Sequence, residues 1–110
     1  MTARFTVTIS PAAREDIDRI RAYLAEHRSI AAADDLIDTM KAALAALETF
    51  PLRGVVPKEL DALGERDFRQ LNLGQYRLIY LVAEQDVVVA LVVDGRRDLP
   101  ELLARRLLSR

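Results

Sequence analysis

The chain has 110 residues, 51% of them apolar and 30% charged, with a formal net charge of −1. That composition fits an ordinary globular domain with one modest core, and it excludes a polyanion binder working by bulk charge. Cysteine is absent and there is one histidine, so disulfides, thiolate nucleophiles and Cys or His metal clusters are excluded too.

No stretch approaches the ~20 apolar residues of a membrane helix, and residues 1–10 lack a signal-peptide pattern. The expectation is a cytoplasmic protein, with residues 1–110 forming a single domain without repeats, linkers or low-complexity segments.

In chain order, Arg4 to Ile9 alternates, with Phe5, Val7 and Ile9 on one side, as a half-buried strand does. Ser10-Pro11 then opens a helix, serine as N-cap and proline at the first position. Glu15, Asp16 and Asp18 suit the positive end of its dipole. Ala13, Ile17, Ile20 and Leu24 form its apolar stripe, and His27 falls at its exposed end. Ser29 caps a second helix with the stripe Ala33, Leu36, Ile37, Met40, Leu44 and Leu47, stopped by Pro51. The short connection predicts an antiparallel αα-hairpin. Residues 51–66 form a loop long enough to be functional, with a helical turn around Leu60 and Leu63.

Phe68 to Asp98 organises the rest. It reads as three strands with turns at Leu73-Gly74-Gln75 and Glu84-Gln85-Asp86. Tyr76 and Tyr80 share a face, as core or half-buried sheet residues do. Arg77 interrupts an apolar strand, so it either pairs with a carboxylate such as Asp94 or Asp98 or serves function. Gly95 allows a sharp turn, leaving Arg96 and Arg97 at a strand-to-helix corner where one side chain returns toward Arg77 and the other faces solvent. Asp98, with Glu101 three residues on, predicts a capped final helix. Its apolar face is Leu99, Leu102, Leu103 and Leu107, and Arg105, Arg106 and Arg110 complement its C-terminal dipole. The order β-α-α-β-β-β-α predicts an α+β fold: an antiparallel sheet packed against an αα-hairpin, with a C-terminal helix.

The order of elements, the Leu47 to Gly54 segment (Leu-x-x-x-Pro-x-x-Gly), the strand Tyr76-Arg77-Leu78-Ile79-Tyr80 and the ending Gly95-Arg96-Arg97-Asp98 together resemble the RelE/ParE superfamily of bacterial toxins. The resemblance runs from Thr8 to Leu108. It implies the toxin of a type II toxin–antitoxin pair, held inactive by a cognate antitoxin usually encoded beside it.

Two chemistries are implied by that superfamily. RelE-like members cut messenger RNA on the ribosome, which needs a proton acceptor, a proton donor and cations for the phosphorane. By resemblance Arg77 and Arg97 match the two arginines of that pattern and would be the catalytic candidates. The tyrosine of the last helix falls near Leu103, no tyrosine follows Tyr80, and the lysines are Lys41 and Lys58. The cations are present and the acid–base group is not. ParE-like members, which commonly end the last strand in Arg-Arg-Asp, act on DNA gyrase by binding. That branch fits better, and Arg96, Arg97 and Arg77 become the target-binding candidates, with the loop Arg53 to Arg66 next. The absence of cysteine and the single histidine predict no metal, and no cofactor and no sequence-specific DNA binding by the chain alone are expected. The alternatives are a RelE-like ribonuclease and a non-toxic interaction protein of the same fold.

Overall fold

The computed structural model describes residues 4–96 and 99–108. Strand β1 (Thr6–Ile9) leads into helices α1 (Pro11–His27) and α2 (Ile30–Leu47). The short helix α3 (Lys58–Asp61) follows, and then β2 (Phe68–Leu73), β3 (Tyr76–Ala83) and β4 (Asp86–Asp94). Helix α4 (Pro100–Leu103) continues as a π-helical segment (Ala104–Leu108).

Local chemistry sets both long helices where the sequence puts them. The Ser10 hydroxyl accepts from the Ala13 N–H at 3.1 Å, with Pro11 at the first position. The Ser29 hydroxyl accepts from the Ala32 N–H at 2.9 Å. Each satisfies an N–H that no helical carbonyl can reach. The three-strand meander also forms, with two-residue turns at Gly74-Gln75 and Glu84-Gln85. The residue opening each turn is left-handed, Gly74 at φ 65° and Glu84 at φ 56°, as a hairpin that keeps the strand twist requires. The expected helical turn at Leu60 is α3. The last helix begins later than expected, with Pro100 at its first position after Leu99. The expected Asp98 cap lies outside the described residues.

The sheet has the order β1-β4-β3-β2. β2, β3 and β4 are antiparallel, but β1 runs parallel to β4. The αα-hairpin is the cause: it carries the chain back along the sheet between β1 and β2, as a parallel neighbour needs. Tyr80 pairs with Val89 and Ile79 with Leu91, which leaves Ala90 as a bulge. The bulge reverses the alternation, so Val87, Val89 and Val92 face the hairpin while Leu91 and Val93 face away.

Two cores result. Ala13, Met40 and Leu47 of the hairpin bury Leu73, Leu78, Tyr80 and Val89 on one face. On the other, Leu60, Leu99 and Leu103 cover Ile79, Leu91 and Val93. This second layer explains why β4 is apolar at successive positions. A strand covered on both faces has no solvent side.

Charge closes one stretch of edge. β1 stops at Ile9, so the β1-facing side of β4 from Ala90 onward has no neighbouring strand. Asp16 of α1, 4% exposed, accepts from the Val92 N–H at 3.1 Å. Arg106 grips both Asp16 oxygens at 3.0 and 2.9 Å and donates to the Ala90 carbonyl at 3.3 Å. Asp16 and Arg106 are therefore not mere helix-dipole charges, as the sequence suggested. They stand in for the missing strand and tie the helical layers on the two faces together around the edge.

Candidate binding groove at the strand–helix corner

Arg77 lies on the sheet face away from the hairpin, with its side chain 12% exposed. Its guanidinium donates to the two Glu59 carboxylate oxygens at 3.0 and 2.5 Å and to the Gln70 amide oxygen at 2.8 Å. Of the two partners expected across the sheet, Asp94 is corrected to Glu59 of α3, and Asp98 lies outside the described residues. A neighbour on the strand would share a face only at alternate positions, and Asp94 sits on the opposite one. The Arg77 hydrogen bonds hold the Glu59 carboxyl below its ordinary value of 4.5, against the opposing effect of burial. Nothing in the sequence pointed to Glu59, because α3 is brought over β3 only by the tertiary fold.

Gly95 follows the strand, and its N–H donates to the Gln75 carbonyl at 2.8 Å. A Cβ there would lie 3.1 Å from Cγ of Arg77 and 3.2 Å from the Gln75 oxygen. Close approach, rather than a left-handed backbone, is the reason for glycine at this corner. Arg77 is the floor on which the corner rests.

Arg96 rises from that corner with its side chain 71% exposed. It turns back on Asp94 as a fork, Nε to one carboxylate oxygen at 3.1 Å and Nη2 to the other at 2.8 Å. The Asp94 carboxylate raises the guanidinium pKa further, so Arg96 is a fixed charge. Arg97, expected as the other half of the corner, lies outside the described residues, as does Arg110.

Arg96 does not stand alone. It lines a groove of about 340 Å³ together with Arg19, Tyr23, Asp94 and Arg106. Tyr23 is 56% exposed and leans on His27 with ring centroids 4.4 Å apart. Three arginines from α1, the corner and the C-terminal segment thus share two carboxylates, Asp16 and Asp94. Nothing in the chain pattern points to Arg19 or Tyr23, which lie more than seventy residues before Arg96. Tyr76 and Tyr80 are core residues facing the hairpin, as expected. Burial raises the pKa of the Tyr80 phenol.

The 51–66 loop is fastened rather than loose. The Tyr80 hydroxyl accepts from the Gly54 N–H at 3.0 Å. Arg69 donates to the Leu52 and Gly54 carbonyls at 3.3 and 2.8 Å, and Val55 bridges to Gln70 through two backbone bonds. A Cβ on Gly54 would sit 2.6 Å from the Gln70 oxygen and 2.7 Å from the Tyr80 hydroxyl. Gly54→Ala is therefore expected to destabilise the protein by about 1–3 kcal/mol, with earlier proteolytic cleavage between residues 50 and 57. Wild-type stability and cleavage would show that the loop gives way freely.

Among the described residues no group of three or more His, Asp or Glu side chains could hold a metal ion, and no helix is long and apolar enough to cross a membrane.

The model of the ParE toxin family, toxins of type II toxin–antitoxin systems of the parDE kind, matches residues 7–99. No curated protein matches the chain. The chain is similar to a solved structure of the chromosomal ParDE toxin–antitoxin system from P. aeruginosa, with a TM-score of 0.67 at 12% identity over 83% of this chain and 96% of that one. It is also similar to the RelBE2 toxin–antitoxin complex from Mycobacterium tuberculosis, with a TM-score of 0.54 at 22% identity over 86% and 94%. A YoeB dimer from Staphylococcus aureus gives 0.58 at 18% identity over 83% and 97%. At these identities the likeness establishes the fold.

Proposed function

The chain belongs to the ParE toxin family of type II toxin–antitoxin systems, and from that premise we propose that it arrests growth by binding DNA gyrase through the strand–helix corner and is neutralised by a cognate antitoxin. Two of the similar structures are toxin–antitoxin systems or complexes, which supports the antitoxin as partner. The observation that carries the mode of action is the division of labour among the arginines. Arg77 is sequestered by Glu59 and Gln70, while Arg96 is displayed beside Arg19 and Tyr23. Arginine and tyrosine on the rim of a groove are the residue types that anchor protein interfaces. In this reading Arg96 and Arg97 contact the target and Arg77 supports them from beneath.

RNA cleavage fits the same geometry less well. A general base works best with a pKa near the operating pH. Glu59, the carboxylate at Arg77, is displaced downward and has both oxygens engaged. Tyr80 is fully buried with its hydroxyl engaged by the Gly54 N–H, so it is out of reach of a leaving group, and burial raises its pKa, which makes it a weaker acid.

The test is gyrase supercoiling with purified toxin, run beside ribosome-dependent cleavage of a reporter message. Inhibition of supercoiling without cleavage is expected. Arg96→Ala and Arg97→Ala are each expected to weaken inhibition roughly 30-fold, since an interface arginine contributes about 2 kcal/mol. Arg21→Ala, on the side of α1 away from Arg19 and Tyr23, should leave inhibition unchanged. Cleavage in the ribosomal A site would replace this reading with the RelE-like one. Full inhibition by both folded corner variants would move the target surface elsewhere.

A further inference from the structure

The groove beside Arg96 separates its acceptors from its donors. Asp16 accepts four hydrogen bonds, from Arg19, from the Val92 N–H and from both Nη atoms of Arg106. Asp94 also accepts four, from the Gln75 amide and from the backbone N–H, Nε and Nη2 of Arg96. A carboxylate has about four lone-pair sites, so both are saturated from within the protein. Their side chains are only 5% and 24% exposed.

The donors are not used up in the same way. A guanidinium carries about five N–H groups. Among the described residues Arg19 uses one of them, on Asp16 at 3.5 Å, and the Arg96 side chain uses two. These side chains are 72% and 71% exposed, and Tyr23 stands one helical turn on from Arg19, on the same face of α1. The half-buried Ile20 and Leu102 give the groove an apolar floor. Solvent therefore meets a cationic rim with spare donors, over apolar side chains.

We propose that this groove, on the gyrase reading above, takes an acidic segment of the gyrase polypeptide and not the DNA that gyrase holds. A carboxylate of the segment meets the unused N–H groups of Arg19 and Arg96, and a neighbouring apolar side chain rests on Ile20 and Leu102 beside the Tyr23 ring. Arg19 and Tyr23 then set specificity together with Arg96. DNA fits poorly. A phosphate backbone is held by many cations along a track, whereas this groove offers two exposed arginines on a chain of net charge −1. Its apolar floor has no counterpart on a phosphodiester.

The experiment measures binding of the toxin to purified gyrase with and without DNA. Binding without DNA is expected, and Arg19→Gln and Tyr23→Ala are each expected to weaken it about 10-fold or more. Their melting temperatures should stay within about 3 °C of wild type, since an exposed ion pair contributes little. In the wild-type complex, modification of Arg19 and Arg96 by a dicarbonyl reagent should slow, while Arg21 reacts as before. A toxin that binds gyrase only when DNA is present overturns the acidic-segment site and leaves the gyrase reading intact. So do folded variants that bind as wild type does, or a complex in which Arg19 stays open to the reagent. Failure to bind gyrase in either state, with supercoiling unaffected, overturns that reading and the site with it.

Discussion

Replacing Asp16 with alanine is expected to destabilise the protein by about 3–5 kcal/mol, the usual result of removing one partner from a buried ion pair. Three consequences add in the same place. Arg106 keeps its charge with its side chain only 24% exposed, the Val92 N–H loses its acceptor, and the β4 edge opens beyond β1. For a domain of this size such a loss lowers the melting temperature by roughly 15 °C or more. Urea and thermal unfolding read it directly. The double variant Asp16→Leu/Arg106→Met should recover only part of the stability. An apolar pair relieves the stranded charge but leaves the Val92 N–H and the Ala90 carbonyl unpaired, at about 1–3 kcal/mol each. A single-variant loss under about 1 kcal/mol would mean that the edge is held by packing alone. Full recovery in the double variant would mean that water satisfies the backbone groups.

Glu59→Ala is the second large effect, about 3 kcal/mol or more, because it strands Arg77 under the loop and corner. Its signature is pH dependence. The folded state holds the Glu59 carboxyl below its ordinary value of 4.5, so the pairing contributes its full stability above that value. The contribution fades as pH falls through the lower folded value. Comparison with Glu59→Gln isolates the effect: the stability gap between wild type and variant should be constant from pH 7 down to about 5 and should narrow below 4.5. A gap that does not change with pH would show that the carboxylate charge is irrelevant. Gly95 rests on the Arg77 stem, so Glu59→Ala is also expected to reduce toxicity at a temperature where the protein remains folded, in step with the Arg96 and Arg97 variants. Retained toxicity in a folded Glu59→Ala protein would separate the corner from its floor.

Elements and family are both legible in the chain alone. Ser10-Pro11 and Ser29 fixed the helix starts, because a hydroxyl three residues before an unpaired N–H acts locally. The stripes of α1 and α2 show which helix faces are buried, because periodicity is a property of the chain alone, whereas the unbroken apolar run of β4 shows only that it is a strand and leaves its two covered faces and its bulge to the fold. The fold matches the expected α+β arrangement, and the family match covers most of the chain. Where the charges meet is a property of the three-dimensional fold. Asp16 and Arg106 are 90 residues apart, Glu59 and Arg77 lie on a loop helix and a central strand, and Arg19 and Tyr23 reach Arg96 from another layer. Each reads locally as a helix-surface or strand charge, and no period or motif links the partners. The parallel placement of β1 was likewise invisible, since a four-residue alternating strand fits an edge in either direction. It is that placement, ending β1 at Ile9 against a longer β4, that left one stretch of edge for Asp16 and Arg106 to close.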